Sequence, residues 1–192
     1  MTAGKSSLKF PAEAGKQMHF TDAAMKVIES LIPSRFPLFP PKFTGECRLL
    51  LHELFTNAVN HSGSNEVGFT FTVVQDGMLI EMITEGPGFR IKPVNSDSTP
   101  GVMIFEPPYE GLTGETFILH LDADFEVVCR VDGPFELSLF NRERKSTGAD
   151  QKNMIPEHFG LFIITRLGSG VCYRKDTGGT NIFTLTLPFP KS

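Results

Sequence analysis

Cysteine is scarce and poorly placed for its usual structural roles. The three, Cys47, Cys129 and Cys172, are an odd number at long spacings with no C-x-x-C pair. That argues against a disulfide framework and against a zinc site. Each stands beside apolar residues, so all three are expected as small buried hydrophobes. Basic runs are missing too. A formal net charge of −4 with no cluster of Lys and Arg leaves no electrostatic footprint for nucleic acid. Long apolar runs are also absent: "RLLLHELF" and "GLFIITRL" are far too short to span a bilayer. The opening "MTAGKSSLKFPAEAGKQ" lacks the apolar stretch of a secretory signal. A cytoplasmic protein that engages neither membrane nor nucleic acid is therefore expected. No internal repeat or low-complexity tract occurs.

What is present suits one soluble domain, or one domain with a large insertion. The chain has 192 residues, 40% of them hydrophobic and 21% charged, enough for a sizeable core. Residues 1–17 read as an N-terminal tail or a leading edge strand, and 18–192 as a single domain. Asp22 is placed to cap a first helix, "AAMKVIESLI", whose Met25, Ile28, Leu31 and Ile32 form one apolar stripe. The segment "PSRFPLFPPKF" holds four prolines in eleven residues and reads as a stiff connector. Thr44 then caps a second helix over about 45–62, ending before Gly63.

A hairpin follows. "VGFTFTVV" alternates, Asp76-Gly77 offers a two-residue turn, and "LIEMIT" returns, which pairs Val73 with Ile80 and Phe71 with Met82. "ETFILHL", "FEVVCRV" and "FELSLF" predict three short strands, 141–156 a polar loop, and about 158–167 a third helix. A last hairpin, "GVCYRK" and "TNIFTLTL", turns at Asp176–Gly179. Helices followed by mostly antiparallel strands predict an α+β fold: helices on one face of a mixed sheet.

Within the second helix, Cys47, Leu50, Leu51, Leu54, Phe55, Ala58 and Val59 fill one apolar arc. Glu53, Asn57 and His61, four residues apart, run along the other side. Geometry alone favours a solvated face over a reactive stripe. Three familiar site patterns fail on inspection. His52-Glu53 begins an H-E-x-x-H zinc motif, but its fifth position is Thr56. No G-x-x-x-x-G-K-[ST] phosphate loop occurs. "GPGFRI" lacks the third glycine of a dinucleotide fingerprint.

The order of features carries more. A helix bearing "ELFTNAVNH" leads to a hairpin and the loop "TEGPGF", and later to "FGLFIITRL" and "YRKDTGGTNIFTL". This arrangement resembles the histidine-kinase-like ATPases (the GHKL or Bergerat-fold superfamily), nearest their anti-sigma-factor serine/threonine kinase branch. The resemblance covers roughly 18–90 and 157–187. It implies a two-layer α/β sandwich with a β-rich insertion, about 97–148, in the lid region. It also implies ATP and Mg²⁺ as cofactors, and a sigma factor or an antagonist of an anti-sigma factor as partner, with a homodimer as one arrangement.

Residue by residue, the resemblance makes Glu53 the base that polarises the attacking hydroxyl and Asn57 the Mg²⁺ ligand. Gly86 and Gly88 match glycines beside base and ribose. Gly160, followed by Leu161, matches the opening of the last helix, whose free N–H groups favour phosphate. Gly179 and Thr180 match the strand beside the adenine. Two positions depart from the pattern. Thr84 stands where the family has an aspartate that accepts from the adenine amino group, with Glu85 pointing the other way. His158 stands where the phosphate loop has its first glycine. The insertion reads as a regulatory lid, a partner surface or a plug, and its Met103, Phe105 and Tyr109 as exposed residues or a packed loop. The function implied is an ATP-dependent serine/threonine kinase that regulates a partner. The alternatives are a degenerate domain that binds protein without nucleotide, and a detached domain serving a larger sensor assembly.

Overall fold

The computed structural model describes residues 4–32, 40–94, 103–144 and 159–190. His158, most of the proline-rich connector, both ends of the insertion and most of the expected 141–156 loop lie outside the described residues. In chain order the elements are β1 (Lys5–Pro11), α1 (Gln17–Leu31), α2 (Pro41–His61), β2 (Glu66–Val74), β3 (Gly77–Glu85), β4 (Thr116–Leu121), β5 (Phe125–Gly133), β6 (Glu136–Glu143), α3 (Phe159–Leu167), β7 (Ser169–Lys175) and β8 (Thr180–Pro188). The strands form one open sheet of eight, in the order β1-β2-β3-β8-β7-β6-β5-β4. The fold is α+β, and every neighbouring pair is antiparallel where a mixed, mostly antiparallel sheet was expected. Pairs β2–β3, β4–β5, β5–β6 and β7–β8 are joined by short turns, which only antiparallel neighbours allow.

Side-chain alternation gives this sheet two unlike faces. One row, Leu8–Phe69–Met82–Phe183–Tyr173–Leu137–Val131, crosses seven strands and is apolar apart from the Tyr173 hydroxyl. The neighbouring row on the other face, Thr70–Glu81–Thr184–Cys172–Ser138–Arg130, is polar. The helices cover the first face. Phe20 of α1 stacks on Phe55 of α2 at 4.5 Å and meets Phe69 of β2 at 4.5 Å, locking three elements together. At the far side of the sheet, Phe162 of α3 packs against Phe125 of β5 at 5.9 Å. The phase of β7 also corrects one expectation: Cys47 and Cys129 are buried, whereas Cys172 lies on the polar face and is exposed.

Both helix starts differ from the sequence reading. Asp22 does not cap α1, which begins at Gln17 and has no side-chain cap. Extending it backwards buries Phe20 in register with Ala24 and Ile28, while the Asp22 carboxylate pairs with Arg48 of α2. Nor does Thr44 cap α2. That helix begins at Pro41, a first-turn position where proline's missing N–H costs nothing, and it gains the buried Phe43.

The β2–β3 register is two residues away from expectation. Val73 faces Met78 and Phe71 faces Ile80, so Gln75-Asp76 form the turn. Gly77 is required for another reason. A Cβ there would lie 2.5 Å from the Leu187 carbonyl oxygen on β8, so the glycine serves close approach of strands and not turn geometry. The extra strands exist as expected, and β6 runs on to Glu143, into residues expected as loop. They widen the sheet by pairing β6 with β7. Within the insertion Met103 is exposed, but Phe105 packs on Phe117 at 5.0 Å and Tyr109 is fully buried.

Burial pushes the Cys47 and Cys129 thiols up to about 12 from an ordinary 9.0. In the unfolded chain they ionise near pH 9; in the folded chain they stay neutral until about 12. Between those values the unfolded state binds fewer protons, so stability falls as pH rises. The slope is up to about 1.4 kcal/mol per pH unit for each thiol. Urea midpoints measured between about pH 8 and pH 11 are expected to decline on the alkaline side. A Cys47→Ala, Cys129→Ala double variant, less stable at neutral pH, is expected to show a flatter decline.

Candidate functional site

Helix α2 is capped at its end by Ser62, whose N–H bonds the Ala58 carbonyl at 3.0 Å, and the chain turns away through Gly63 at φ +68. The loop after β3 passes directly over that end. Gly86 sits at φ +123, and a Cβ on it would lie 2.0 Å from the Ser62 carbonyl oxygen. No other residue fits there.

Four side chains hold this Gly86–Phe89 loop. Lys175 donates to the carbonyls of Gly86 and Pro87 at 3.0 and 2.9 Å. Asn181 donates through Nδ2 to Gly86 O at 3.4 Å. Tyr109 donates to Phe89 O at 2.6 Å. The Tyr173 oxygen accepts from the Phe89 backbone while its hydroxyl donates to Asn181 Oδ1 at 2.7 Å. Burial pushes the pKa of both tyrosines above the ordinary phenol value, so they remain neutral donors. A Cβ on Gly88, at φ +104, would lie 2.8 Å from Tyr173 Oη and 2.6 Å from Pro107.

Between this loop, α2, the first turn of α3 and the β3–β8–β7 floor lies a cavity of about 640 Å³. It runs along α2. At one end, a Cβ on Gly160 would lie 2.8 Å from Glu53 Oε2 and 3.4 Å from the Asn57 amide atoms. The α3 backbone therefore rests on the carboxylate–amide pair of α2, one helical turn apart. At the other end the floor is Thr84 of β3 beside Asn181 of β8, a directly paired couple that is buried on both sides. Arg90, Lys92 and the exposed His61 stand among the lining residues.

Of the residues expected at the site, Glu53, Asn57, Thr84, Gly88, Gly160 and Leu161 line this one cavity; Gly86, Gly179 and Thr180 do not. Gly86 shapes it from behind. Gly179 provides the left-handed turn at φ +88. Thr180 pairs with Glu85, one residue out of phase with the floor, so Asn181 stands there instead. Asn181, Tyr173 and Tyr109 are the residues that the sequence reading missed. For the first two, the alternation of β7 and β8 contained the signal.

The lining residues suit a phosphorylated ligand with a hard cation better than a protein-built metal cage. Among the described residues, no group of three His, Cys, Asp or Glu side chains is placed to hold a metal ion. Asn57, however, has a buried Nδ2 with no hydrogen-bond partner. An orphaned buried amide facing a cavity is costly and marks a position where a ligand completes the bonding. That donor suits a phosphate oxygen, while the amide oxygen of the same side chain could serve Mg²⁺, which typically takes one or two protein ligands and draws the rest from phosphate and water. Among the described residues no helix is long and apolar enough to cross a membrane. No protein-family model matches the chain, and no curated protein matches it.

Proposed function

We infer that this chain is a nucleotide-binding regulator that uses ATP with Mg²⁺ to phosphorylate a serine hydroxyl on a partner protein. The observation that carries this reading is the contact of Gly160 with both Glu53 and Asn57. It joins a base, a hard-cation ligand and the first turn of a helix at one end of a cavity whose size suits a small ligand. In this reading the fold is a two-layer sandwich of the Bergerat type, and the partner is a sigma factor or an antagonist of an anti-sigma factor.

Each residue has a stated task. Asn57 would hold the cation through its amide oxygen. Glu53 would take the proton of the attacking hydroxyl. The N–H groups at the start of α3 would receive phosphate oxygens, and the pinned Gly86–Phe89 loop would flank base and ribose. Bound Mg²⁺ would supply neutralisation of phosphate charge.

A second reading draws on Thr84. A hydroxyl there, in place of a carboxylate, weakens purine binding, and the exposed Phe159 and Ile104 at the cavity suit a protein partner. That reading is a nucleotide-independent binding module. Calorimetric titration with a non-hydrolysable ATP analogue separates the two. Magnesium-dependent heat with a dissociation constant between about 1 μM and 1 mM is expected from the kinase. Silence up to several times that limit would favour the module.

A further inference from the structure

We propose that the base end of the cavity does not discriminate a 6-amino from a 6-oxo purine, so the site binds 6-oxopurine nucleoside triphosphates about as well as ATP. This inference rests on the nucleotide reading above and concerns which base that site reads.

A pocket selects one purine over another when the facing group has a single polarity. A carboxylate only accepts and an ammonium only donates, so the wrong base leaves a buried group unpaired. The groups at this end are of another kind. The Thr84 hydroxyl both donates and accepts. Asn181 is held as an amide with both polarities: its Oδ1 accepts from Tyr173 at 2.7 Å and keeps one lone-pair direction. Its Nδ2 makes only a long 3.4 Å bond to Gly86 O and keeps one proton. Both residues are buried in the floor, so any base reaching them meets a donor and an acceptor together.

The groups of fixed polarity are elsewhere or engaged. Among the described lining residues Glu53 is the sole carboxylate. It lies nine residues before Ser62 in α2, roughly 13 Å along the helix axis from the Gly86 contact, against Gly160. Arg90 is exposed and paired with Glu106 at 2.7 Å, and Lys92 has an interaction of its own. The Lys175 ammonium, paired across the sheet with Asn181, is taken up by the Gly86 and Pro87 carbonyls, and among the described lining residues no other group of one sign faces the floor at Thr84 and Asn181.

The test uses the full chain, Mg²⁺, and two probes that differ at purine position 6, ATP and ITP, each titrated calorimetrically under non-turnover conditions. Dissociation constants within about tenfold of each other are expected. Asn181→Asp puts an acceptor-only group in the same volume and keeps the Tyr173 bond, so it is expected to favour ATP over ITP by at least about tenfold. Thr84→Asp is expected to do the same from the neighbouring strand, and serves if the first variant folds poorly. Binding of ATP with ITP weaker by about a hundredfold or more would overturn this inference while leaving the nucleotide site standing. Failure of both probes to bind would overturn the inference and the nucleotide reading together.

Discussion

Gly86→Ala is expected to destabilise the protein by on the order of 4 kcal/mol, the largest effect expected for an alanine at any described glycine. Two costs combine. The residue sits at φ +123, where a side chain is strained, and such conformations cost about 1–3 kcal/mol. The added Cβ would also fall 2.0 Å from the Ser62 carbonyl oxygen, a backbone atom at the end of a 21-residue helix that has no rotamer through which to escape. Either α2 moves or the loop after β3 lifts, and lifting it strains the bonds from Lys175, Asn181, Tyr173 and Tyr109 together.

Gly179→Ala supplies the control. That glycine is also left-handed, at φ +88, but has nothing within 4 Å of its Cβ position, so it should carry the conformational cost alone, about 1–2 kcal/mol. At about 2–4 °C per kcal/mol for a chain of this size, thermal unfolding should separate the two variants clearly. Equal melting temperatures would mean that the loop and the α2 terminus do not touch as described.

How much of this was legible in the sequence depends on which force decides each element. The middle of α2 was readable because burial of Cys47, Leu50, Leu54 and Ala58 imposes a period that the residues display. Its start was not, because Pro41 reads as a breaker unless it is known to occupy the first turn. α1 failed for a related reason: Asp22 has the chemistry of a cap, but its ion pair with Arg48 depends on a neighbouring helix. The hairpin register slipped by two because Gly77 carries a turn-like identity in the service of strand approach to β8. That demand exists only once the sheet is assembled.

The site divides along the same line. Glu53 and Asn57 could be singled out because their spacing is a local property of one helix, while the roles expected of them came from the resemblance alone. The β8 half of the floor could not, since Thr180 and Asn181 differ only in which face they take, and one residue of phase decides it. Tyr109 shows the limit most plainly. The sequence leaves it as either an exposed residue or part of a packed loop; it is buried and bonds to Phe89 O at 2.6 Å, twenty positions away. Only the packed insertion brings the two together.

Substitutions at Glu53 and Asn57 are expected to separate binding from chemistry, although the two side chains are neighbours. Asn57→Ala removes the amide whose Nδ2 is buried without a partner, together with the oxygen assigned to the cation. Loss of a charge-assisted interaction of about 1.5–3 kcal/mol weakens magnesium-dependent ATP binding by on the order of 10- to 150-fold. The free protein should lose little stability, because the deleted group forms no bond there. Glu53→Gln keeps shape and hydrogen-bonding capacity but no longer takes a proton at neutral pH. Binding is then expected to stay within about threefold of the original, while turnover falls by about 10²–10⁴, the usual contribution of a positioned base.

The readout for turnover needs no knowledge of the partner: single-turnover ATP hydrolysis uses water in place of the serine hydroxyl, and the same carboxylate would serve as base. Parallel loss of binding and turnover in both variants would mean that the pair acts as one structural support beneath Gly160. Unchanged hydrolysis in Glu53→Gln would remove Glu53 from the chemistry. Only the split, binding lost at Asn57 and rate lost at Glu53, follows from a cation ligand and a base standing one helical turn apart beside the first turn of α3.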